Sequence, residues 1–129
     1  MKTMPLTVVP LYAAALSVLF VLLSIRVIRM RHTRGIALGV AGDAELERRV
    51  RVQANFVEYV PLALVLLTMT ELRGAPPFLL HALCLCLLAA RASHAWGMSH
   101  TPENFRFRIA GMMGTFTVIV GTALLLVLG

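Results

Sequence analysis

The most informative segment of this sequence is Glu47-Arg-Arg-Val-Arg-Val-Gln-Ala-Asn-Phe-Val-Glu-Tyr-Val-Pro61, where charged and amide side chains run into a hydrophobic segment that continues to Thr70. At about 100° per residue on a helix, several of these side chains fall within an arc of roughly 80°. They are Arg48, Arg51, Asn55 and Glu58, with Tyr59 beside them. Ionisable residues in membrane helices usually face a protein interior or a water-filled cavity and mark function. The segment therefore predicts a functional polar stripe on one helix face, with a structural salt-bridge network between helices as the alternative.

The composition is typical of a membrane protein. Of the 129 residues, 59% are hydrophobic, and the mean hydropathy is +0.84, which is too apolar for an ordinary soluble domain. We find no biased linker segment and no convincing internal repeat, so residues 1–129 are predicted to form a single integral membrane domain. The net charge of +6 would suggest nucleic acid as the partner of a soluble protein. Here the placement of the basic residues indicates a membrane instead, and no nucleic-acid partner is expected.

Four predominantly apolar segments are long enough to cross a hydrocarbon core of about 30 Å. They predict an all-α bundle of four transmembrane helices, with spans at residues 4–26, 50–71, 77–97 and 107–128. The second helix is expected to begin earlier, with Asp43 as its N-cap, and to kink at Pro61. The first segment runs directly into arginines rather than into a cleavage site, so it is predicted to remain as an anchor and not to be a signal peptide.

The basic residues predict the orientation of these spans. Seven arginines lie between Arg26 and Arg51, and three lie between Arg91 and Arg108. Alternation of four spans places both groups on the same side, which the positive-inside rule assigns to the cytoplasm. Both termini and the 71–77 turn should therefore face the opposite side. The same alternation should bring Arg51, Arg91 and Arg108 close to one membrane face, where an anion would fit between them.

The side chains of the polar stripe match a zwitterionic peptide. Arginine suits carboxylates, Glu58 suits an ammonium group, and Asn55 and Gln53 suit peptide groups. Glutathione carries carboxylates, an ammonium group, peptide bonds and a thiol. It therefore matches this set of side chains better than a fatty acid or a metal ion does.

A metal site is not expected. Cys84 and Cys86 are two residues apart and point to nearly opposite sides of a helix, so neither a disulfide nor a metal site is predicted, and both are interpreted as packing residues. The histidines His32, His81 and His100 offer no paired ligand spacing.

The segment also resembles a family signature. The residues Glu47-Arg48, Arg51-Val-Gln53-Ala-Asn55, Glu58-Tyr59 and Pro61 are similar to the signature of the membrane-associated proteins in eicosanoid and glutathione metabolism, the MAPEG family. They strongly resemble the corresponding run of leukotriene-C synthase and the microsomal glutathione transferases. The similarity also covers chain size, the four spans, a long basic first loop and an arginine at the start of helix four. It implies a four-helix bundle assembled as a homotrimer, with glutathione bound between neighbouring subunits in a site open to the membrane.

The resemblance further implies roles for individual residues. One subunit would bind glutathione through the residues of the stripe, its neighbour would add a second set, and two further basic residues belong to the same site. The implied ligands are Arg51, Asn55, Glu58 and Tyr59 from one subunit, Gln53 and Arg31 from its neighbour, and in addition Arg48 and Arg91. On a helix Gln53 points away from the stripe, which suits a second interface. A catalytic arginine at the start of helix four would stabilise the glutathione thiolate. Arg108 fits that place best, and Arg106 is the alternative.

Two departures from the leukotriene enzymes indicate a bacterial-type member. Where those enzymes have tyrosines after helix three, this sequence has His94 and Met98, and its loop before Arg108 is longer. His94 is included among the candidate glutathione ligands in place of a tyrosine. The more common situation for a lone interfacial histidine, however, is to be solvated.

These observations predict a glutathione-dependent transferase or peroxidase in which glutathione is a substrate or co-substrate and no metal takes part. The expected partners are the lipid bilayer, a small hydrophobic electrophile or lipid hydroperoxide, and further copies of the chain. The expected location is a bacterial inner membrane, with the site on the cytoplasmic side. The alternative is a non-catalytic lipid-binding or scaffold protein of the same fold. A proton-coupled multidrug transporter is disfavoured because helix one carries no acidic residue.

Overall fold

In the computed structural model, which describes residues 5–100 and 102–129, four long helices build the fold. They are α1 (Val9–Arg34), α2 (Ala44–Leu72), α3 (Pro77–Ser99) and α4 (Phe105–Leu128). Each helix is long and apolar enough to cross a membrane, and the predicted all-α membrane bundle is confirmed. The predicted start of the first span at residue 4 lies outside the described residues.

The first two helices extend beyond the predicted spans and leave only a short loop between them. α1 continues to Arg34 and ends at Gly35, whose left-handed conformation (φ 67°) is typical of a helix C-terminus. α2 begins directly after Asp43, whose Oδ1 accepts hydrogen bonds from two backbone N–H groups of the first turn, each at 3.1 Å. The predicted N-cap is therefore confirmed. Further along, α2 runs through Pro61 as one continuous helix.

The four helices alternate in direction, so the molecule has two distinct ends. We call the end that carries residues 35–43 and 100–104 the basic end. There Arg26 Nη1 of α1 donates to Ser99 Oγ of α3 at 2.7 Å. At the opposite end Arg73 Nη1 donates to the carbonyl oxygen of Leu126 at 2.6 Å. α2 contacts all three other helices, and therefore its polar stripe lies where several helices can contribute to one site.

The buried carboxylate of Glu71, near the end of α2, caps the N-terminus of α1. It accepts hydrogen bonds from the backbone N–H groups of Thr7, Val8 and Val9 at 2.6, 2.7 and 2.7 Å. The first turn of a helix leaves such N–H groups without partners inside the helix, and Val8 has no side chain that could accept them. The second helix thus supplies the cap that the sequence of the first helix lacks.

α3 and α4 approach each other closely because glycines face the neighbouring backbone. A Cβ atom on Gly111 would lie 2.5 Å from the carbonyl oxygen of Ala90 and 2.6 Å from His94 Cβ. A Cβ atom on Gly97 would lie 2.5 Å from the backbone nitrogen of Arg108. Small residues allow this close approach in membrane bundles. The contact fixes the start of α4, and with it Arg108, against the end of α3.

Replacing Gly111 by alanine is expected to destabilise the bundle, because the added methyl group must push α3 and α4 apart. Overpacking of this kind costs about 1–3 kcal/mol. Heating followed by size-exclusion chromatography in detergent should show loss of folded protein several degrees below the wild-type midpoint. The control is Gly121→Ala, since a Cβ atom at Gly121 meets nothing within 4 Å. Equal midpoints for the two variants would show that the helix contact does not need the glycine.

Candidate functional site

The start of α2 is held in place by charges around its N-cap. Arg34 at the end of α1 pairs with Asp43 at 2.7 Å and with Glu45 at 2.9 Å. The hydrogen bond from the backbone N–H of Leu46, together with the neighbouring Arg34 charge, keeps the pKa of the Asp43 carboxyl below its usual value. The first turn of α2 is thereby tied to α1, and the residues of the polar stripe follow it directly.

Three arginines of the basic end line one open depression of about 310 Å³. We call it the arginine depression, and its lining residues are Ala44, Glu47, Arg48, Arg51, Met98, Glu103 and Arg108. Arg48 and Arg51 come from α2, and Arg108 comes from the start of α4. Two of the three arginines that were predicted to converge, Arg51 and Arg108, are therefore brought together, with Arg48 beside them.

Glu103 bridges two of these arginines. Its Oε1 accepts from Arg48 Nη1 at 2.8 Å, and its Oε2 accepts from Arg108 Nη1 at 2.6 Å. The bridge joins α2 to the start of α4 across the arginine depression. Glu103 was not among the predicted site residues. The available signal was a lone acidic residue in the loop before α4 that lies between clusters of arginines.

Arg91 lies inside the bundle and not in the arginine depression, contrary to the expectation that it joins Arg51 and Arg108. Its side chain is only 2% exposed. Arg91 Nη2 donates to Asn55 Oδ1 at 2.6 Å, and Nη1 donates to Thr115 Oγ1 at 3.4 Å. Its Nε has no hydrogen-bond partner among the residues that the structure describes. Asn55 thus provides a hydrogen-bond acceptor for the buried guanidinium of Arg91 on α3.

His94 is buried, so the interpretation of this residue as a solvated interfacial histidine is wrong. It is 1% exposed, and its Nδ1 lies 3.5 Å from Arg91 Nη2. The physical reason is the glycine contact, because Gly111 of α4 brings the neighbouring backbone directly onto the Cβ atom of His94. The histidine belongs to the helix interface within one chain.

Glu58 and Tyr59 continue the stripe along α2. Arg51 Nη1 lies 3.6 Å from Glu58 Oε1, and both side chains remain about half exposed, at 55% and 48%. The ring of Tyr59 packs edge-to-face on Phe116 of α4, with 5.5 Å between the ring centres. The stripe thus contains an exposed ion pair beside an anchored tyrosine.

Gln53 lies on the side of α2 that faces α1, and Arg31 lies in the last turn of α1. Gln53 Nε2 donates to Ser24 Oγ at 2.9 Å, which agrees with the prediction that Gln53 points away from the stripe. Arg31 Nη1 donates to the carbonyl oxygens of Ile36 and Gly39 at 3.2 and 2.7 Å. Within one chain, Arg31 therefore holds the loop after α1 and does not reach the arginine depression.

The two candidates for the catalytic arginine occupy different places. Arg108 lines the arginine depression, whereas Arg106 lines a separate open hollow with His100 and Phe105. The geometry thus favours Arg108 as the arginine that shares a site with the stripe. Among the described residues there is no group of three side chains arranged to hold a metal ion. Both cysteines are free thiols, and Cys84 is buried in the core.

Comparison with known proteins identifies the family of the chain. Residues 9–128 match the MAPEG family. The chain is also 36% identical over 110 residues to the inner membrane protein YecN of Escherichia coli strain K12, an alignment that covers 85% of this chain and 82% of that protein. The same protein of E. coli O6:H1 strain CFT073 gives the same values. The chain therefore belongs to the MAPEG family, the membrane-associated proteins of eicosanoid and glutathione metabolism.

Proposed function

We propose that the protein is a membrane-bound glutathione-dependent transferase or peroxidase that acts at its basic end. The observation that carries the proposal is the convergence of Arg48, Arg51 and Arg108 on one open depression, with Glu58 beside Arg51 on the same helix face. The cations suit the carboxylates and thiolate of glutathione, and Glu58 suits its ammonium group. Membership of the MAPEG family supports the same ligand.

The proposed reaction is nucleophilic attack by the glutathione thiolate. Bound glutathione loses its thiol proton to solvent water, and Arg108 stabilises the negative charge on sulfur. The sulfur then forms a bond to an electrophilic carbon, and the leaving group departs with the electron pair of its own bond. With a lipid hydroperoxide, the substrate would instead be reduced to an alcohol and water while two glutathione molecules are oxidised to their disulfide. A hydrophobic substrate of either kind would come from the bilayer.

A homotrimer would cover the polar stripe, which one chain leaves open. Glu58 lies roughly 12 Å beyond residue 50, the predicted start of the span, at 1.5 Å per residue. Its side chain is nevertheless 48% exposed, and an uncovered charge at that depth in lipid is costly. We infer that neighbouring copies of the chain close the stripe. Gln53 and Arg31 would then act toward the glutathione site of a neighbouring subunit.

The bacterial inner membrane is the proposed location. The E. coli relatives carry the name inner membrane protein, and the concentration of arginine at the basic end supports a cytoplasmic position for that end. Glutathione would then be bound from the cytoplasmic side, while the hydrophobic substrate would enter from the lipid.

A non-catalytic lipid-binding or scaffold protein is the second candidate, and specific observations favour it. Arg108 Nη1 is already paired with Glu103 at 2.6 Å, so this nitrogen is engaged and does not face a thiolate. His94, which replaces a tyrosine of the leukotriene enzymes, is buried and offers no side chain to the arginine depression. Measured turnover separates this candidate from the enzyme.

Replacing Arg51 by alanine is expected to weaken glutathione binding by roughly ten- to hundredfold, because a hydrogen bond to a charged group contributes about 1.5–3 kcal/mol. Isothermal titration calorimetry on the purified oligomer in detergent measures this change. Arg29→Ala is the matched control, since it removes an exposed arginine from α1 at the same end and outside the proposed site. Unchanged affinity in folded Arg51→Ala would make the stripe structural, and a wild-type protein that binds no glutathione would refute the proposal.

A further inference from the structure

Glu103 is the only acidic residue in segment 100–104 between α3 and α4, and both of its carboxylate oxygens are engaged by arginines. Arg48 donates to one oxygen at 2.8 Å, and Arg108 donates to the other at 2.6 Å. The Glu103 side chain is 19% exposed and lines the arginine depression. A carboxylate of the protein itself therefore already holds two of the three arginines proposed to bind an anionic ligand.

This bridge has the chemistry of a bound ligand. A carboxylate whose two oxygens accept from separate guanidinium groups makes the same charge-assisted hydrogen bonds that a ligand carboxylate would make there. Each guanidinium has further N–H donors. A second carboxylate beside Glu103 would, however, meet a like charge, and two carboxylates that share one site disfavour each other's charged form. An anionic ligand and Glu103 would thus bind to the same two arginines and disfavour each other.

The backbone next to Glu103 is anchored independently of its side chain. The N–H of Asn104 donates to the carbonyl oxygen of Gly97 at 3.0 Å, and the N–H of Arg108 donates to the carbonyl oxygen of Asn104 at 3.2 Å. These hydrogen bonds hold the start of α4 whether or not the Glu103 carboxylate touches an arginine. Rotation of the Glu103 side chain alone can therefore release Arg48 and Arg108.

We propose that Glu103 is an internal anion that competes with the ligand for Arg48 and Arg108. A ligand carboxylate then replaces Glu103 at Arg48, and the glutathione thiolate replaces it at Arg108, only as the Glu103 carboxylate leaves. This inference rests on the glutathione site proposed above and concerns the selectivity of that site. An anionic ligand offsets the loss of the two Glu103 ion pairs with new charge-assisted hydrogen bonds to the arginines, whereas a neutral molecule does not. Glu103 would thereby keep the arginine depression closed to neutral peptides.

Replacing Glu103 by glutamine tests the proposal, because competition predicts a rise in glutathione affinity and positioning of Arg108 predicts a fall. Glu103→Gln keeps the size of the side chain but removes the competing charge. Calorimetry should show glutathione binding that is roughly three- to tenfold tighter than in wild type, as expected for the loss of two partly exposed ion pairs. If Glu103 instead positions Arg108 for the ligand, the affinity of the variant will fall. Weaker or unchanged binding therefore overturns the competition.

Two further variants control for net charge and for folding. Glu47→Gln removes a charge from the same depression, and Glu47 has no ion pair among the described parts of the chain. Glu47→Gln should therefore raise the glutathione affinity less than Glu103→Gln does, and an equal rise would overturn the proposal. Glu103→Asp keeps the charge but shortens the reach to the two arginines. It should bind glutathione more tightly than wild type but less tightly than Glu103→Gln, and it gives the test if the glutamine variant does not fold.

A second measurement does not depend on glutathione. Phenylglyoxal modifies accessible arginines, and mass spectrometry can follow Arg48 and Arg108 as inorganic phosphate is added as a protecting anion. In Glu103→Gln, phosphate should protect both arginines at a several-fold lower concentration than in wild type. If the protein binds no glutathione but still shows this shift, the proposed function is refuted and the competition by Glu103 stands. Equal protection in the two proteins would refute the competition, whatever the glutathione result.

Discussion

Replacing Arg108 by leucine is expected to abolish most glutathione conjugation while glutathione affinity stays within a few fold of wild type. The glutathione thiol, with a reference pKa of about 8.5, is mostly protonated at neutral pH, so a neighbouring cation raises the reactive thiolate fraction. Loss of one group that stabilises developing negative charge typically lowers turnover by roughly 10²–10³. Turnover of a model aryl halide measures the chemistry, and the thiolate absorbance at neutral pH should fall in parallel.

Arg106→Leu is the matched control for this experiment. Arg106 is exposed and lies two residues away on the same helix, but it lines a different hollow, so turnover should stay near that of wild type. If Arg106→Leu abolishes turnover and Arg108→Leu does not, the catalytic arginine is Arg106. If the wild-type protein shows neither a thiolate nor turnover with any electrophile or lipid hydroperoxide, catalysis is refuted and the scaffold alternative is favoured.

Replacing Asn55 by leucine is expected to destabilise the bundle more than replacing Arg91 by methionine. Asn55 Oδ1 accepts the shortest hydrogen bond of the buried Arg91 guanidinium, at 2.6 Å. No ion pair to Arg91 occurs within the described residues. Loss of Asn55 leaves a buried cation with poorer partners, at a cost of about 1.5–3 kcal/mol. Arg91→Met instead removes the cation together with its need for a partner, and such replacements are often tolerated.

The midpoints of thermal unfolding in detergent, followed by circular dichroism, give the comparison. We expect Asn55→Leu to unfold at the lower temperature, with Arg91→Met closer to wild type. The reverse order would mean that the buried arginine contributes net stability to the bundle. Glutathione affinity of folded Arg91→Met then reports separately whether Arg91 is also a ligand, as the family resemblance implies.

The helices and the N-cap could be predicted because their signals are local in sequence. An apolar segment long enough to cross the bilayer predicts a span wherever it occurs, and Asp43 caps α2 through hydrogen bonds to its own next residues. The direction of Gln53 relative to the stripe followed from helix geometry alone. The convergence of Arg51 and Arg108 followed from the alternation of spans, which brings the start of α2 and the start of α4 to the same end.

The remaining features depend on contacts between residues that are distant in sequence. His94 was predicted as a candidate ligand, with a solvated histidine as the more common alternative, yet its burial is decided by Gly111 on another helix. The Arg91 side chain points into the bundle because Asn55 and Thr115 lie there as hydrogen-bond acceptors. Hydrophobic patterning does not predict such hydrogen bonds. Glu103 was missed for a similar reason, since its role depends on how the loop before α4 folds back over α2.

The cap on α1 has a consequence for how the chain enters the membrane. From the far end of α2, Glu71 satisfies the backbone N–H groups of Val9 and of the two residues before α1, and such groups are expensive to leave without partners in an apolar environment. While α1 is the only inserted segment, these groups lack their acceptor. The pair of helices α1 and α2, rather than the first helix alone, is therefore the smallest insertion intermediate in which this helix start is fully hydrogen-bonded.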